Sequence, residues 1–144
     1  MDNLSEKSLY FKSIYIELKK VNYDKINNQP KIDEQIKVVT KDSYQITELS
    51  LSGFTLNYQR SVELDPKVLF DIKVTYEIHY EFTDDLVKEY TDKFDELSEL
   101  VNFKAEKAIN MTGVVSRAST LISCITMQNN GNAIITQPNF CKSK

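Results

Sequence analysis

The only histidine, His79, lies between Glu77 and Glu81, and this trio is the nearest approach to a chemical site in the sequence. An imidazole flanked by two carboxylates offers nitrogen and oxygen donors to a divalent ion, but zinc centres generally use more nitrogen or sulfur ligands. A solvated polar face is therefore the expected role for the trio. Cys124 has no base in view and falls on the apolar side of a helical stretch, where cysteine acts as a small core residue. Cys141, near the end of the sequence, is expected to be exposed. There is no Gly-x-Ser-x-Gly, no Cys-x-x-Cys and no glycine-rich phosphate loop, and 3 glycines leave little material for one. Acidic pairs recur without a cleft pattern. The expectation is a chain with no catalytic residue, no metal site and no cofactor, and so not an enzyme.

Composition narrows the alternatives. A chain of 144 residues with 41% apolar and 27% charged residues suits one globular domain over residues 1–144. The net charge of −3 supplies no basic stripe for phosphates, since Lys19-Lys20 and Lys142-Ser143-Lys144 are too small, so nucleic acid is not an expected partner. No window approaches the roughly 18 apolar residues of a membrane span. Asp2, Glu6, Lys7, Lys12 and Glu17 interrupt any signal-peptide core. Two cysteines are too few for a disulfide framework, so a cytoplasmic protein with free thiols is expected. In that compartment the Asn110-Met111-Thr112 sequon stays unused.

The elements that must position these residues are legible from periodicity. From Val68 to Phe82 every even position is large and apolar, and most odd positions are polar. A period of two with β-branched and aromatic residues is a long strand. Phe54 to Leu64 repeats the pattern with Arg60 as its exception, and Asp65-Pro66-Lys67 makes the turn of an antiparallel hairpin. Gly53 marks a bulge or the start of that strand. Leu9 to Val21 is a noisier strand, with Tyr10, Ile14, Ile16 and Leu18 on one side and Phe11, Tyr15 and Val21 on the other. Apolar groups on both faces imply that something covers the second. Residues 22–31 read as a loop, and one further strand, whole or broken, falls between Ile32 and Leu51.

After Phe82 the period changes. Thr83 is suited to cap a helix whose stripe is Leu86, Tyr90, Phe94, Leu97 and Val101. A second helix spans about Lys104 to Gln128, with Ala108, Met111, Val115, Ala118, Ile122 and Ile125 on one face. Gly113 lies inside it at a cost of about 1 kcal/mol relative to alanine. Asn129-Asn130-Gly131-Asn132 ends it. The fold class expected is α+β: an antiparallel sheet of three to four long strands followed by helices on one face.

This order of elements resembles the SecB family of chaperones. The local matches are Leu9-Tyr10-Phe11-Lys12-Ser13-Ile14, the helix Val114 to Ser123, and the tail Ile134-Ile135-Thr136-Gln137-Pro138-Asn139-Phe140, similar to the family's Pro-x-Asn-Phe ending. Val115-Ser116-Arg117-Ala118 stands near the family's Phe-Pro-x-x-Arg, which is missing. The resemblance implies a homotetramer built as a dimer of dimers, and ATP-independent holding of unfolded or export-competent polypeptides in aromatic-lined grooves. It further implies SecA or an antitoxin as partner; a dedicated-partner assembly or regulatory protein is the alternative. Aromatic residues beyond the needs of one sheet face also suit grooves for extended apolar peptides. Tyr15, Tyr23, Tyr44 and Phe140 are the client-binding candidates, lying off the alternating face or near loops and the tail. Phe11, Ile14, Ile109, Val114 and Leu121 are the candidates for an oligomer interface.

Overall fold

The structure, a computed structural model, describes residues 4–131 and 133–141; Asn132 of the helix-ending run and Lys142-Ser143-Lys144 lie outside them. After a single 3-10 turn at Leu4–Glu6 come four strands, β1 (Phe11–Lys25), β2 (Lys37–Ser50), β3 (Gly53–Asp65) and β4 (Phe70–Phe82). Three helices follow: α1 (Asp84–Glu89), α2 (Phe94–Met111) and α3 (Val114–Asn130). The sheet is antiparallel throughout, in the order β1-β4-β3-β2. This is the α+β class the periodicity implied.

The central hairpin β3–β4 follows from alternation. Phe54, Leu56, Tyr58, Val62 and Leu64 of β3 and the even-numbered residues of β4 from Phe70 to Phe82, all buried, form the helix-covered face. Each such side chain contributes about 1.5–3 kcal/mol by leaving water. Gly53 opens β3 because the neighbouring strand comes too close for a side chain: a Cβ there would lie 2.0 Å from the Tyr80 carbonyl oxygen. Between the strands the turn carries a cis Asp65–Pro66 peptide.

The edge strands refine the sequence reading: β1 extends it, and β2 fills the segment where one strand was expected, without a break. β1 runs on to Lys25, through the start of the segment read as a loop. Register shifts in β1 fall between Phe11 and Ser13 and between Leu18 and Lys20. Each adds a residue and flips the phase, so Phe11, Ile14, Ile16, Leu18, Val21 and Tyr23 all stand opposite core residues of β4. Apart from Tyr15, which stands across from His79 on the polar face, the two apolar faces inferred for this strand are therefore one face, interrupted by bulges.

The helices break at other places than the sequence implied. Thr83 caps α1, its hydroxyl accepting from the Leu86 N–H at 3.4 Å. α1 then stops at Tyr90, so Phe94 begins a new helix and turns outward. α2 carries one buried stripe, Leu97, Leu100, Val101, Ala105, Ala108 and Ile109, straight across the seam placed at residues 102–104. The break comes instead at Gly113, whose φ of 76° is left-handed, a conformation glycine adopts without penalty. Met111, expected on the buried face, is consequently exposed. Gly131, also left-handed, caps α3, its N–H bonding to the Met127 carbonyl.

Candidate polypeptide-binding site

The helices do not cover the whole sheet. Along edge strand β1, Ile14, Leu18 and Val21 stand on the helix-side face yet remain exposed, Leu18 by 47%. At the start of the same strand is an apolar recess of about 320 Å³ between Leu9, Tyr10 and Phe11 and the α2 residues Ala108 and Met111. Lys104 and Lys107 stand on its α2 side. Tyr10 and Met111 are each at least 60% exposed. An edge strand with an open apolar row and an adjoining recess can accept an extended apolar segment through backbone bonds and side-chain pockets.

The predicted client-binding residues do not form one groove. Tyr15 lies on the opposite, polar face, its ring centroid 6.0 Å from His79. Tyr23 is half-buried and stacked on Phe70 at 5.4 Å, near the far end of β1. Only Tyr44 and Phe140 meet, edge to face at 5.9 Å, with Phe140 also 6.1 Å from Tyr58. There the tail lies back on the helix-side face of β2 and β3, and Phe140 covers Tyr44.

Of the proposed interface residues, Ile109 and Val114 are corrected: both are completely buried in the protomer's own core, so no second protomer is needed to shield them. Both belong to the buried core cluster of sheet and helix residues. Phe11 is half-buried in a ring cluster, 4.8 Å from Tyr80 and 5.9 Å from both Phe54 and Phe82. Ile14 is exposed and Leu121 half-buried, so these two keep surface available. The cysteines are corrected as well. Cys124 is exposed instead of buried, because it sits on the outward side of α3. Cys141 is half-buried against Arg60 and Asp42.

The largest feature the sequence reading missed is the network that holds the tail. Arg60, the exception in the apolar alternation, is fully buried and forms a two-pronged salt bridge with Asp42: Nε donates at 2.8 Å and Nη2 at 2.7 Å. Asp42 also accepts from the Tyr58 hydroxyl at 2.7 Å and the Cys141 N–H at 2.6 Å. The guanidinium donates further to the Thr136 hydroxyl and to the carbonyls of Gln137 and Asn139. Burial, the largest influence, opposes the charge on Arg60, but its bond to Asp42 together with the neighbouring Tyr58 and Cys141 offsets this, leaving its pKa raised. Burial, then the bond to Asp42, pushes the Tyr58 hydroxyl well up, and burial alone does so for Tyr80. Burial likewise raises the Cys141 thiol, with the Asp42 charge adding to it. A charge in an apolar register must find a buried counter-ion; the periodicity marked Arg60 but not Asp42 on the next strand.

His79 is not simply solvated. Its Nε2 is 2.7 Å from Glu77 and its Nδ1 is 3.1 Å from the Thr55 hydroxyl. Glu81 is directed elsewhere, pairing with Lys12 at 3.0 Å. This bond, with that to Asp84, raises the Lys12 pKa.

Together these elements make a SecB-like fold: an open antiparallel sheet with its helices on one face and a tail strapped beside them. The chain is similar in structure to Mycobacterium tuberculosis Rv1957, a SecB-like chaperone solved in complex with a ChAD peptide from the Rv1956 HigA1 antitoxin. The match covers 92% of this chain and 91% of that one, at a TM-score of 0.58 and 8% sequence identity. No protein-family model matches the sequence, and no curated protein matches it. Among the described residues no helix is long and apolar enough to cross a membrane.

Proposed function

We propose that this chain is a SecB-like chaperone that shields an apolar segment of another polypeptide without using nucleotide. The observation that carries the reading is the exposed apolar row of β1 ending in the recess against α2. A client segment laid there would leave water at roughly 25 cal/mol per Å² of apolar area, while edge backbone groups bond it without reading its sequence. Free thiols at Cys124 and Cys141 suit a reducing, cytoplasmic setting.

The antitoxin peptide bound to the structurally similar Rv1957 favours a dedicated client of that kind. Delivery to SecA has less support, because the family's Phe-Pro-x-x-Arg has no counterpart at Val115 to Ala118. On a separate surface, half-buried Leu121 of α3 lines an open recess with Ser116, Thr120 and Cys124, which supports a homo-oligomer, a dimer of dimers in the proposal. Contiguous exposed apolar surface commonly marks such an interface. Tyr44 and Phe140 enter the reading as a paired site that a client reaches only when the tail lifts.

The test is light scattering of a denatured model protein diluted with a molar excess of this chain, without nucleotide. The expected outcome is suppression, weakened by Tyr10→Ser with Met111→Lys. Multi-angle scattering of the chain alone should give a mass well above the 16.7 kDa protomer. Aggregation unaffected by the chain, both for a model client and for an antitoxin-type peptide fusion, would overturn the reading.

A further inference from the structure

Three donor atoms from two neighbouring strands converge on the polar face of the sheet, away from the surfaces described above. Glu17 of β1 stands directly across from Glu77 of β4, and His79 follows two residues later, so the three side chains share a face. One carboxylate oxygen from each glutamate and a ring nitrogen of His79 all lie within 4.8 Å of one another. Glu17 is what the sequence reading lacked: the third ligand is 60 residues away in sequence but adjacent in register.

The imidazole is already oriented. Nε2–H donates to Glu77 at 2.7 Å while Nδ1 meets the Thr55 hydroxyl at 3.1 Å; an ion at Nε2 replaces that proton, and the Thr55 hydroxyl then rotates to accept from Nδ1–H. Metal-bound histidines are ordinarily held by such a bond on the far nitrogen. A cation also stands at the carboxylates: the Lys19 ammonium is 3.2 Å from Glu17 and 3.8 Å from Glu77. Its bond to Glu17 raises the lysine's pKa. That ammonium is carried on a flexible exposed stem and has no use for the imidazole lone pair. A divalent ion in its place takes two carboxylates and the ring nitrogen together. The adjoining open recess of about 450 Å³, lined by Tyr15, Thr55 and His79 among others, leaves room for water on the remaining coordination positions.

We propose that Glu17, Glu77 and His79 form a binding site for a divalent cation of the zinc, cobalt or nickel type, with Lys19 as a built-in competitor. The mixed nitrogen and oxygen donor set selects these borderline ions over magnesium and calcium, which prefer oxygen alone.

Untagged protein carrying Cys124→Ser and Cys141→Ser removes the competing thiols. Because His79 is the only histidine, its ring proton signals report this site alone. Titration with zinc chloride should shift those signals to saturation at one ion per chain, and cobalt chloride should displace or broaden them. Magnesium chloride at the same concentrations should leave them unmoved. His79→Ala, and separately Glu17→Gln with Glu77→Gln, should weaken zinc binding measured calorimetrically by about tenfold or more. Lys19→Met, which removes the competing charge, should strengthen it. Circular dichroism confirms that each variant is folded, and the Lys19 and His79 variants suffice if the double glutamate variant is not. His79 signals unmoved by millimolar zinc would overturn the proposal. So would equal zinc affinity in His79→Ala, or weaker binding in Lys19→Met.

Discussion

Asp42→Ala should destabilise this protein more than almost any other single truncation. The Asp42 carboxylate accepts from Tyr58 Oη, Arg60 Nε, Arg60 Nη2 and the Cys141 N–H, all between 2.6 and 2.8 Å. Both members of the ion pair are completely buried, so no water takes its place. The alanine leaves a buried guanidinium facing only neutral acceptors, and two further donors without a partner. Removing one member of a buried pair costs about 3–5 kcal/mol. A domain has roughly 5–15 kcal/mol in total. At about 2–4 °C per kcal/mol for a chain near this size, the midpoint should fall by roughly 6–20 °C. The double change Asp42→Leu with Arg60→Met removes both charges and should cost less than the sum of the singles, giving a coupling energy across the pair. Urea unfolding followed by circular dichroism measures Asp42→Ala and, for the cycle, Asp42→Leu, Arg60→Met and their double change. A cost for Asp42→Ala below about 1 kcal/mol at unchanged m-value, or strict additivity in the double variant, would refute the reasoning.

Two further outcomes follow from close packing and from burial. Gly53→Ala places a methyl group 2.0 Å from the Tyr80 carbonyl oxygen, so the strands must part, and a loss of about 1–3 kcal/mol in urea unfolding is expected; an unchanged midpoint would contradict the close approach. Tyr58 and Tyr80 are both held neutral well above their ordinary pKa of 10.0, whereas in the unfolded chain they ionise near that value. Their contribution to stability is therefore fully present below about pH 10 and lost as pH rises through the raised values. The urea midpoint should fall on titration above that point, with a shallower slope in Tyr80→Phe.

The central hairpin was legible because two strands buried on one face obey a period of two without interruption. β1 was harder, since each bulge flips the phase and makes a single apolar face read as two. Helix breaks at Tyr90 and Gly113 escaped because apolar spacing continues across them; only the left-handed glycine marks the second. Site prediction depended on neighbours that a single sequence does not reveal. Tyr44 and Phe140 share no signal in the sequence, and a tail folding back over β2 brings them together. Ile109 and Val114 look like surplus apolar surface in a helical wheel, yet the turn between α2 and α3 sends both inward. Asp42 and Glu17 carry no local signal at all, because each acquires its role from the residue opposite it on the next strand.

Arg60 also sets an order of events during synthesis. Asp42 and Tyr58 come from the same hairpin layer and are available early, but the remaining partners of Arg60 lie 76 to 81 residues further along. Closing loops of that length costs entropy before any contact repays it. At about 5–20 residues per second of translation, the nascent sheet spends several seconds with its guanidinium half-satisfied. The tail is thus the final fastener, and a chain halted before Thr136 has its strands in hand but an open charged seam on the face where Phe140 would otherwise lie over Tyr44 and Tyr58.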